Sequence, residues 1–411
     1  MNIWIVNHYA IPPSMGGLVR HYYFSKYLQK KGHSVKIFTS SKIHNTDINM
    51  IKDHSLFREE MEDGVEYTFV KSRDYKGNGM DRVINMADLP FQMWKTMKLF
   101  YKKKKPDVIY TSSPDLFVAF FALIFGRKHK IPVVVEVRDL WPESIVEYNG
   151  MSKKNPIIQI LYQLEKWIYK KADQLIFTME GGKDYIKDKG WDKVVDLNKV
   201  NHVNNGVDLE EFAENAKRYR IQDPDLNNQE LFKVVYVGSI RKVNNLQTLI
   251  EAAELLKDNK KIRFFLYGDG TEKVSLEQRC QRKNLNVSFG GRVEKKYIPY
   301  ILQQSDLNII NVRSAALNKY GCSWNKLFEY MASGKPILCN LEVNYDLIKR
   351  YNLGLAKKFT DMKSYAETIL RFAEMDREKY QEYCMNCFEC AKQYDYRNLA
   401  DKIQEILQKT I

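Results

Sequence analysis

A predicted helix that starts near residue 325 carries polar side chains that suit a bound nucleotide. The segment 321–336 has the sequence GCSWNKLFEYMASGKP. Ser323 or Asn325 can cap the helix, and the ammonium group of Lys326 can neutralise a phosphate. Glu329 lies about one helical turn beyond Asn325, where its carboxylate can accept two hydrogen bonds from the hydroxyls of a ribose. An ordinary capped helix with a surface Glu–Lys pair is the alternative interpretation.

Turns after three predicted strands in the same half of the chain add candidate phosphate contacts. Ser239, Arg241 and Lys242 follow the first strand, Gly268 follows the second and Arg292 follows the third. Backbone N–H groups, hydroxyls and paired cations at the carboxyl end of a strand suit a diphosphate. Solvated basic turns have the same composition, so the prediction depends on these turns lying at one edge of a sheet.

Near the start of the chain, Gly16 and Gly17 precede a helix predicted over residues 18–31. Two glycines in a strand-to-helix turn let an anionic group approach the positive end of the helix, although a plain tight turn fits this spacing equally well. The spacing is not GxGxxG, so a nicotinamide cofactor is not predicted. Arg20 and His21 fall in the first turn, where a cation opposes the helix dipole, and this mild penalty suggests contact with a phosphate or an acceptor.

Charged and aromatic residues follow the predicted strand 133–137, namely Arg138, Asp139, Trp141 and Glu143. Such a group directly after a buried strand is unusual for packing alone and suggests a site that binds an acceptor. Asp139 is the first candidate for a catalytic proton acceptor, and His21 is the second. A structural Arg–Asp pair is the alternative.

These candidates depend on two series of strands and helices. Apolar, β-branched runs occur at 3–6, 35–39, 65–70, 108–111, 133–137 and 175–178, and again at 234–237, 264–267, 287–289, 307–312 and 337–339. Amphipathic helical segments separate the runs, which predicts α/β domains with parallel sheets and right-handed crossovers. A turn-rich stretch from Asn204 to Asp208 separates the two series. We therefore predict domains at 1–203 and 204–395, with a final helical segment, 396–411, that can pack on either one.

Composition limits the class of protein. The 411 residues are 44% hydrophobic and 28% charged, which is a globular balance. The N-terminal residues do not have the pattern of a signal peptide, and the longest apolar run, 116–125, is half of the ~20 residues that a spanning helix needs. The sequence therefore predicts a cytoplasmic protein. Its net charge of +14 favours polyanionic partners, and Cys384, Cys387 and Cys390 are expected to be reduced thiols on one helix.

Taken together, seven segments resemble glycosyltransferase family 4, within its bacterial surface-polysaccharide subgroup, which includes enzymes similar to N-acetyl-L-fucosaminyltransferases. The segments are SMGGLVRHYYFSKYLQKKGH, PDVIYTSSPD, EVRDLWPES, NNGVDLEEF, YVGSIRKVNNLQTLIEAAELL, LYGDG and NKLFEYMASGKPI. This resemblance implies a GT-B fold of two facing Rossmann-like domains, with the donor held mainly by the second. It also implies retention of anomeric configuration without a metal, and help from the departing diphosphate in deprotonating the acceptor.

The resemblance also distributes the candidate residues between donor and acceptor. Donor binding is implied for Gly16, Gly17, Ser239, Arg241, Lys242, Gly268, Arg292, Ser323, Asn325, Lys326, Leu327 and Glu329. The acceptor side is implied for Arg20, Arg138, Trp141 and Glu143. Two departures from the family are present: Gly321 occupies the position of the first Glu of the family's paired Glu motif, and Ser239 and Asn244 align with its phosphate-binding Arg and Lys. Arg241, Lys242 and Lys326 can compensate for the second departure.

The expected function is transfer of an N-acetylated, deoxygenated hexosamine from a uridine diphosphate (UDP) sugar to a lipid-diphosphate-linked saccharide in O-antigen or capsule synthesis. No cofactor is expected beyond the donor substrate. The helix predicted over 86–105 could meet the anionic inner face of the cytoplasmic membrane through Met93, Trp94, Met97 and Phe100, or could instead face the core. A nucleotide-sugar epimerase of the same fold is one alternative. A nucleic-acid-binding protein is another, although zinc-finger spacings and aromatic RNA-binding strands are absent from the sequence.

Overall fold

The computed structural model describes residues 1–44, 46–77 and 79–411. They divide into two compact units, an N-terminal unit of residues 1–204 and 396–411 and a C-terminal unit of residues 205–395. Within the described residues, the N-terminal unit contains an eight-stranded sheet and the C-terminal unit a six-stranded sheet. The chain passes from one unit to the other inside the turn-rich stretch that begins at Asn204.

The N-terminal unit alternates strands and helices. Its strands are β1 (Asn2–Asn7), β2 (Ser34–Ser40), β3 (Phe57–Glu62), β4 (Val65–Val70), β5 (Val108–Ser112), β6 (Val133–Val137), β7 (Gln174–Phe177) and β8 (Val200–His202). Its helices are α1 (Arg20–Lys30), α2 (Met80–Lys103), α3 (Leu116–His129), α4 (Glu143–Asn149), α5 (Pro156–Lys171) and α6 (Gly182–Asp188). The strand order is β3-β4-β2-β1-β5-β6-β7-β8, in which β3 pairs antiparallel with β4 and the other neighbours are parallel.

Burial explains which strands the sequence predicted. Every residue of β1, β5 and β6 is buried, and strands covered on both faces have continuous apolar runs. The edge strand β3 has the sequence FREEME, contains no buried residue and carries the charges that protect a sheet edge from further pairing. This charged composition is why the sequence predicted no strand at 57–62.

The C-terminal unit repeats the alternation with parallel strands throughout. Its strands are β9 (Phe232–Val237), β10 (Ile262–Tyr267), β11 (Val287–Gly291), β12 (Leu307–Ile310), β13 (Ile337–Cys339) and β14 (Gly354–Ala356). Its helices are α7 (Leu209–Arg218), α8 (Leu246–Leu255), α9 (Lys273–Arg282), α10 (Ile298–Gln304), α11 (Asn325–Ala332), α12 (Leu347–Arg350), α13 (Met362–Ala373) and α14 (Arg377–Gln393). The strand order is β11-β10-β9-β12-β13-β14.

The final helix, α15 (Tyr396–Gln408), packs on α1 of the N-terminal unit. The ring of Tyr396 stacks on that of Tyr23 with 4.6 Å between centroids, and Lys31 forms an ion pair with Asp401. One face of α15 is buried and the opposite face is exposed, as expected for a helix that covers a core.

Arg20 lies in the interior of the N-terminal unit, which differs from the sequence prediction that it meets an acceptor. Its side chain is 1% exposed, and its Nε donates to Glu136 Oε1 at 2.7 Å. The other guanidinium nitrogens donate to the carbonyls of Val203, at 2.8 Å, and Asn204. Arg20 therefore compensates the buried charge of Glu136 on β6. It also joins β6 to the backbone at Val203 and Asn204.

His21 belongs to the same buried cluster. Its Nε2 lies 3.3 Å from Glu136 Oε2, and burial lowers the pKa of the ring. Burial of Glu136 would raise the pKa of its carboxyl, but Arg20 and His21 hold that pKa well below its usual range. His21 is fully buried, and Arg20 and His21 both pack against Glu136, so the structure gives His21 a place in the core.

Replacing Arg20 by Met is expected to lower the free energy of unfolding by about 3–5 kcal/mol, because Glu136 would remain buried without its partner. Chemical denaturation measures the loss. The double variant Arg20→Met, Glu136→Gln should recover part of it, since the uncompensated charge is removed.

The matched control is Arg58→Met, because Arg58 pairs with Glu60 at the exposed edge strand β3, with 57% and 38% of the two side chains exposed. Its loss should stay within about 1 kcal/mol. Equal losses at Arg20 and Arg58 would contradict the role assigned to the buried pair.

Candidate functional site

The order of strands in the C-terminal unit creates a switch point between β9 and β12. The chain runs from β9 to β10 and β11 on one side, then returns to β12 on the other side of β9. In α/β sheets, ligands bind outside the carboxyl ends of strands at such points. The candidate donor residues after β9 and β10 lie at this edge.

Close backbone packing explains the glycine that follows β10. A Cβ atom on Gly268, whose φ is +145°, would lie 1.8 Å from the carbonyl oxygen of Gly238. The N–H of Gly268 donates to Gly291 O at 2.7 Å, and that of Gly238 donates to Tyr267 O at 2.9 Å. The sequence predicted that Gly268 contacts the donor. Its N–H group is instead hydrogen-bonded to Gly291, and its lack of a side chain lets the turn after β10 pack against the turn after β9.

Ser239, Arg241 and Lys242 are exposed in the turn after β9. The turn is held from inside, because Asn244 Nδ2 donates to Ser239 O at 2.8 Å and to Ser239 Oγ at 2.9 Å. Tyr236 also donates its hydroxyl hydrogen to Ser239 O at 2.8 Å. The arrangement presents two cations on a fixed backbone, which suits an anionic ligand. Arg292, after β11, is exposed as well.

Lys326 reaches this turn from α11. Its Nζ lies 3.0 Å from the hydroxyl of Tyr236 and 4.3 Å from the centroid of that ring. A Cβ on Gly238 would come within 3.0 Å of the same Nζ, so the ammonium group lies beside the turn. Surrounding protein desolvates the ammonium and lowers the pKa of Lys326 to about 8. A phosphate bound here would restore the charged form that desolvation disfavours.

Glu329 is half-buried on α11, and its Oε1 lies 3.4 Å from Lys295 Nζ. Lys295 was missed from the sequence because it stands in a short basic run after β11, which has no motif of its own. Carboxylate and ammonium together can take part in hydrogen bonds to a polyol. The sequence prediction that Glu329 meets a ribose stays a prediction.

Three other predictions at the start of α11 need correction. The N-cap is Trp324, and neither Ser323 nor Asn325 caps the helix. Ser323 Oγ instead accepts from the N–H of Asn205 at 3.0 Å, while Asn325 is exposed. Leu327 is a core residue with 3% of its surface exposed, and its N–H donates to Trp324 O, so it does not offer a group to a donor.

Gly321 has φ +86° and ψ 175°, a conformation that suits glycine. A glutamate would be strained there, so the departure from the family motif at position 321 is built into the backbone of this loop.

The N-terminal unit has its own switch point between β1 and β5, because β2 and β4 lie on one side of β1 and β5 on the other. Gly16 and Gly17 lie in the loop that precedes α1, and their predicted role in donor binding stays a prediction. Arg138, whose N–H donates to Ser113 Oγ at 2.9 Å, and half-buried Trp141 follow β6.

The side chain of Asp139 reaches solvent on one side, and protein atoms surround it on the others. Partial desolvation raises the pKa of its carboxyl, and the positive charge of Arg138 opposes this shift. A carboxylate with a raised pKa, within reach of solvent at the carboxyl end of a strand, is suited to accept a proton. The role of Asp139 as a catalytic proton acceptor stays a prediction.

Glu143 is held in a structural cluster, which differs from the prediction that it meets an acceptor. Its carboxylate pairs with Lys153, at 2.7 Å, and with Lys189, and it accepts a hydrogen bond from Tyr162. Burial would raise the pKa of Glu143, but these hydrogen bonds lower it to about 2. Its lone pairs are engaged in fixing the start of α4.

Within residues 1–44, 46–77 and 79–411, no group of three or more His, Cys, Asp or Glu side chains is arranged to hold a metal ion. Cys384, Cys387 and Cys390 are free thiols on α14. None of the helices in this part of the chain combines the length and apolar character needed to cross a bilayer.

Two α/β units, each with a switch point in its sheet, correspond to the GT-B fold. Models of two families match the sequence, "Glycosyl transferases group 1" over residues 218–394 and "Glycosyltransferase Family 4" over residues 15–211. The chain belongs to glycosyltransferase family 4, as its sequence motifs predicted.

Relatives and a solved structure agree with this assignment. A probable glycosyltransferase, WbjE, from Pseudomonas aeruginosa is 24% identical, over 68% of this chain and 70% of its own length. The UDP-Gal:alpha-D-GlcNAc-diphosphoundecaprenol alpha-1,3-galactosyltransferase of Escherichia coli is 24% identical, over 80% of each chain. The structure of HepE from Anabaena in complex with UDP superimposes with a TM-score of 0.68 at 15% identity and covers all of both chains.

The predicted contact between Lys326 and the diphosphate of UDP has a pH dependence that can be measured. A diphosphate favours the protonated ammonium, so we expect the affinity for UDP to fall as pH rises through about 8. A ligand that needs the charged ammonium should bind about tenfold more weakly at pH 9 than at pH 7, because a group with a pKa of about 8 is mostly deprotonated at pH 9. Titration calorimetry at pH 7, 8 and 9 measures the slope.

The variant Lys326→Met should bind UDP weakly and show a flatter profile over this range. The control Lys363→Met removes an exposed lysine of α13 and should keep both affinity and slope. A parental slope in Lys326→Met would assign the titration to another group.

Proposed function

We propose that the protein is a retaining, metal-independent glycosyltransferase that uses a UDP-sugar donor and a lipid-diphosphate-linked saccharide acceptor. The donor binds the C-terminal unit at the switch point between β9 and β12. The observation that carries this proposal is the meeting of Lys326 with the turn that holds Arg241 and Lys242. Three cations at one turn offset the charge that develops on a departing diphosphate, which is the work a metal ion does in other sites.

The donor's nucleoside is placed by α11 in this proposal. Glu329 lies one turn beyond Lys326 on the same short helix, so a diphosphate at Lys326 brings a ribose towards the carboxylate. Lys295 lies 3.4 Å from Glu329 and orients that carboxylate.

The names of two relatives support the proposed acceptor and biological role. The Escherichia coli relative is named for a diphosphoundecaprenol acceptor that carries GlcNAc, and another Escherichia coli relative is a putative colanic acid biosynthesis glycosyl transferase. We propose the same class of acceptor here, in the assembly of an O-antigen or capsule. The sugar transferred is an N-acetylated deoxyhexosamine, as the resemblance to N-acetyl-L-fucosaminyltransferases implies.

The test is transfer from a panel of UDP-sugars to synthetic lipid-diphosphate-linked saccharides, with NMR of the product to read the anomeric configuration. Activity is expected to survive EDTA. UDP at ~100 times its dissociation constant should stabilise the protein by about 2.7 kcal/mol, and Glu329→Ala should remove most of this gain, measured as a thermal shift.

Glu367→Ala, at an exposed position on α13, serves as the control and should retain the full shift. Loss of activity with EDTA and recovery with Mg²⁺ or Mn²⁺ would contradict the metal-independent mechanism. Release of nucleotide from the donor without any acceptor would favour the epimerase.

Asp139 acts on the acceptor in this proposal. Asp139→Asn keeps the size of the side chain and removes the proton acceptor, so transfer should fall by about 10²- to 10⁴-fold while UDP affinity is unchanged. Because desolvation raises the pKa of Asp139, the parent should lose activity as pH falls through that pKa, and the variant should lack this limb of the pH profile.

Glu147→Gln, a nearby exposed carboxylate on α4, is the matched control and should keep the parental rate and profile. A melting curve of Asp139→Asn must match that of the parent. A stable variant with near-parental transfer would remove Asp139 from the mechanism.

We also propose that the protein is cytoplasmic and binds the anionic inner face of the cytoplasmic membrane. The part of α2 expected to meet lipid is different from the one first predicted, because Met93, Met97 and Phe100 are buried against the core. Phe91 and Leu99 are instead 55% and 44% exposed on α2.

The exposed side of α2 continues onto neighbouring helices. The ring of Phe91 packs edge-on against Phe121 of α3 at 4.8 Å, and Phe120 lies 5.0 Å from Trp167 of α5. Ile157 and Ile160 of α5 are also 63% and 67% exposed. This surface of apolar groups, with basic residues at the end of α2, fits a peripheral contact with anionic lipid.

Replacing Lys102, Lys103, Lys104 and Lys105 by Gln is expected to weaken binding to phosphatidylglycerol vesicles at low salt. Each basic residue near such a surface contributes about 1 kcal/mol. Vesicle co-sedimentation measures the change, and replacement of Lys257, Lys260, Lys261 and Lys363 gives a control with the same loss of charge. Equal weakening by both sets would point to net charge alone.

A further inference from the structure

A histidine and an aspartate meet at the switch point of the N-terminal unit. His8 is the first residue after β1, and Asp115 immediately precedes α3, after β5. His8 Nδ1 lies 2.6 Å from Asp115 Oδ2, and the two side chains are 1% and 0% exposed. Neither residue was among the candidates found from the sequence, because they are separated by 107 positions and share no motif.

The hydrogen bonds of Asp115 determine which ring nitrogen of His8 carries the proton. Asp115 Oδ1 accepts from the N–H groups of Phe117, at 2.9 Å, and Val118 at the start of α3. The carboxylate is thereby oriented as an acceptor towards His8, so Nδ1 carries the proton. In the neutral ring, Nε2 then offers a lone pair.

That lone pair has no partner in the described part of the chain. Nε2 of His8 is shielded from solvent and makes no hydrogen bond there. Leaving a buried acceptor unsatisfied is unfavourable, and a ligand with a hydrogen-bond donor would remove that cost. The ring cannot turn easily, because it stacks on Tyr9 with 4.0 Å between centroids and an interplanar angle of 11°.

The position of the pair points to a ligand. β1 and β5 are neighbours in parallel register, with Asn7 opposite Ser112, and the chain changes direction across the sheet between them. Asn7 Nδ2 donates to Ser112 O at 3.2 Å, and Asn7 Oδ1 accepts from the N–H of Tyr9, so the backbone that carries His8 is fixed from both strands. Such a point outside the carboxyl ends of parallel strands is where α/β sheets bind small molecules.

We propose that His8 and Asp115 form part of the acceptor site, in which His8 Nε2 accepts a hydrogen bond from a hydroxyl of the acceptor saccharide. A hydroxyl fits this atom, because the tautomer that donates from Nδ1 to Asp115 has a lone pair on Nε2 that can accept the hydroxyl hydrogen. Asp115 is the positioning residue that fixes the ring. This inference rests on the proposed glycosyl transfer, and it adds a contact between the enzyme and the acceptor saccharide.

The test uses a short-chain lipid diphosphate that carries N-acetylglucosamine, together with analogues in which single hydroxyls are replaced by hydrogen. In His8→Asn, the amide can still donate to Asp115, but no atom occupies the position of Nε2. Its kcat/KM for the acceptor should fall by about 10- to 100-fold, because a site built to bind a hydroxyl loses this contact. The thermal shift with UDP should be unchanged.

For one deoxy acceptor, the kcat/KM of the unmodified enzyme should fall by the same factor as the His8→Asn substitution causes with the complete acceptor. His8→Asn should then show no further fall in kcat/KM when it is given that deoxy acceptor. His8→Gln, whose longer amide reaches the position of Nε2, should restore part of the activity. The matched control is His202→Asn, because His202 also has a buried ring nitrogen without a partner but lies at the end of the edge strand β8.

A measurement on the parent protein keeps the proposal open to test if His8→Asn does not fold. In protein labelled with ¹⁵N-histidine, the His8 Nε2 resonance should shift when the saccharide acceptor is added, and the deoxy analogue should fail to shift it. A folded His8→Asn with parental acceptor kinetics, or a His8 resonance that does not respond, would overturn the proposal. Failure of the transferase function itself would differ, since no donor would then support turnover by the parent enzyme.

Discussion

Parallel pairing of strands covered on both faces is the constraint on which the rest of the structure depends. Every residue of β5 and β6 is buried, so the faces of the sheet have no room for solvated groups. Polar residues that must meet a ligand can then lie only where strands end. Because crossovers between parallel strands bring the carboxyl ends to one edge, residues far apart in sequence become neighbours there without any local motif.

Both units use this constraint in the same way but with different chemistry. In the C-terminal unit, the switch point between β9 and β12 collects cations, with Arg241 and Lys242 exposed and Lys326 partly desolvated. In the N-terminal unit, the switch point between β1 and β5 has a buried histidine–aspartate pair, and Asp139 follows β6, two strands from β1. A cationic edge suits an anionic nucleotide, whereas hydrogen-bond acceptors suit the hydroxyls of a sugar.

The sequence predicted the fold and offered candidate site residues for physical reasons that can be traced to particular residues. The apolar run VVVEV predicted β6 because every residue of that strand is buried. The sequence FREEME did not predict β3, because an edge strand in contact with solvent keeps charged side chains. Lys326 and Glu329 were found because their spacing on one helix is local information. The partners of Lys326 and Glu329, Tyr236 and Lys295, were not found, since each comes from another element of the unit.

The interpretation of Arg20 shows how a correct observation can lead to a wrong role. A cation in the first turn of a helix is unfavourable by itself, and the sequence showed this penalty without showing what compensates it. The compensation is Glu136, 116 residues away, which also accepts from Tyr110 and from Ser112 at 2.8 Å. A buried carboxylate needs all of these donors, so an unfavourable local choice at Arg20 is the consequence of a charge on β6. Unusual residues in a single sequence therefore mark places where a distant constraint acts, and only the fold decides whether that constraint is a ligand or the interior of the protein.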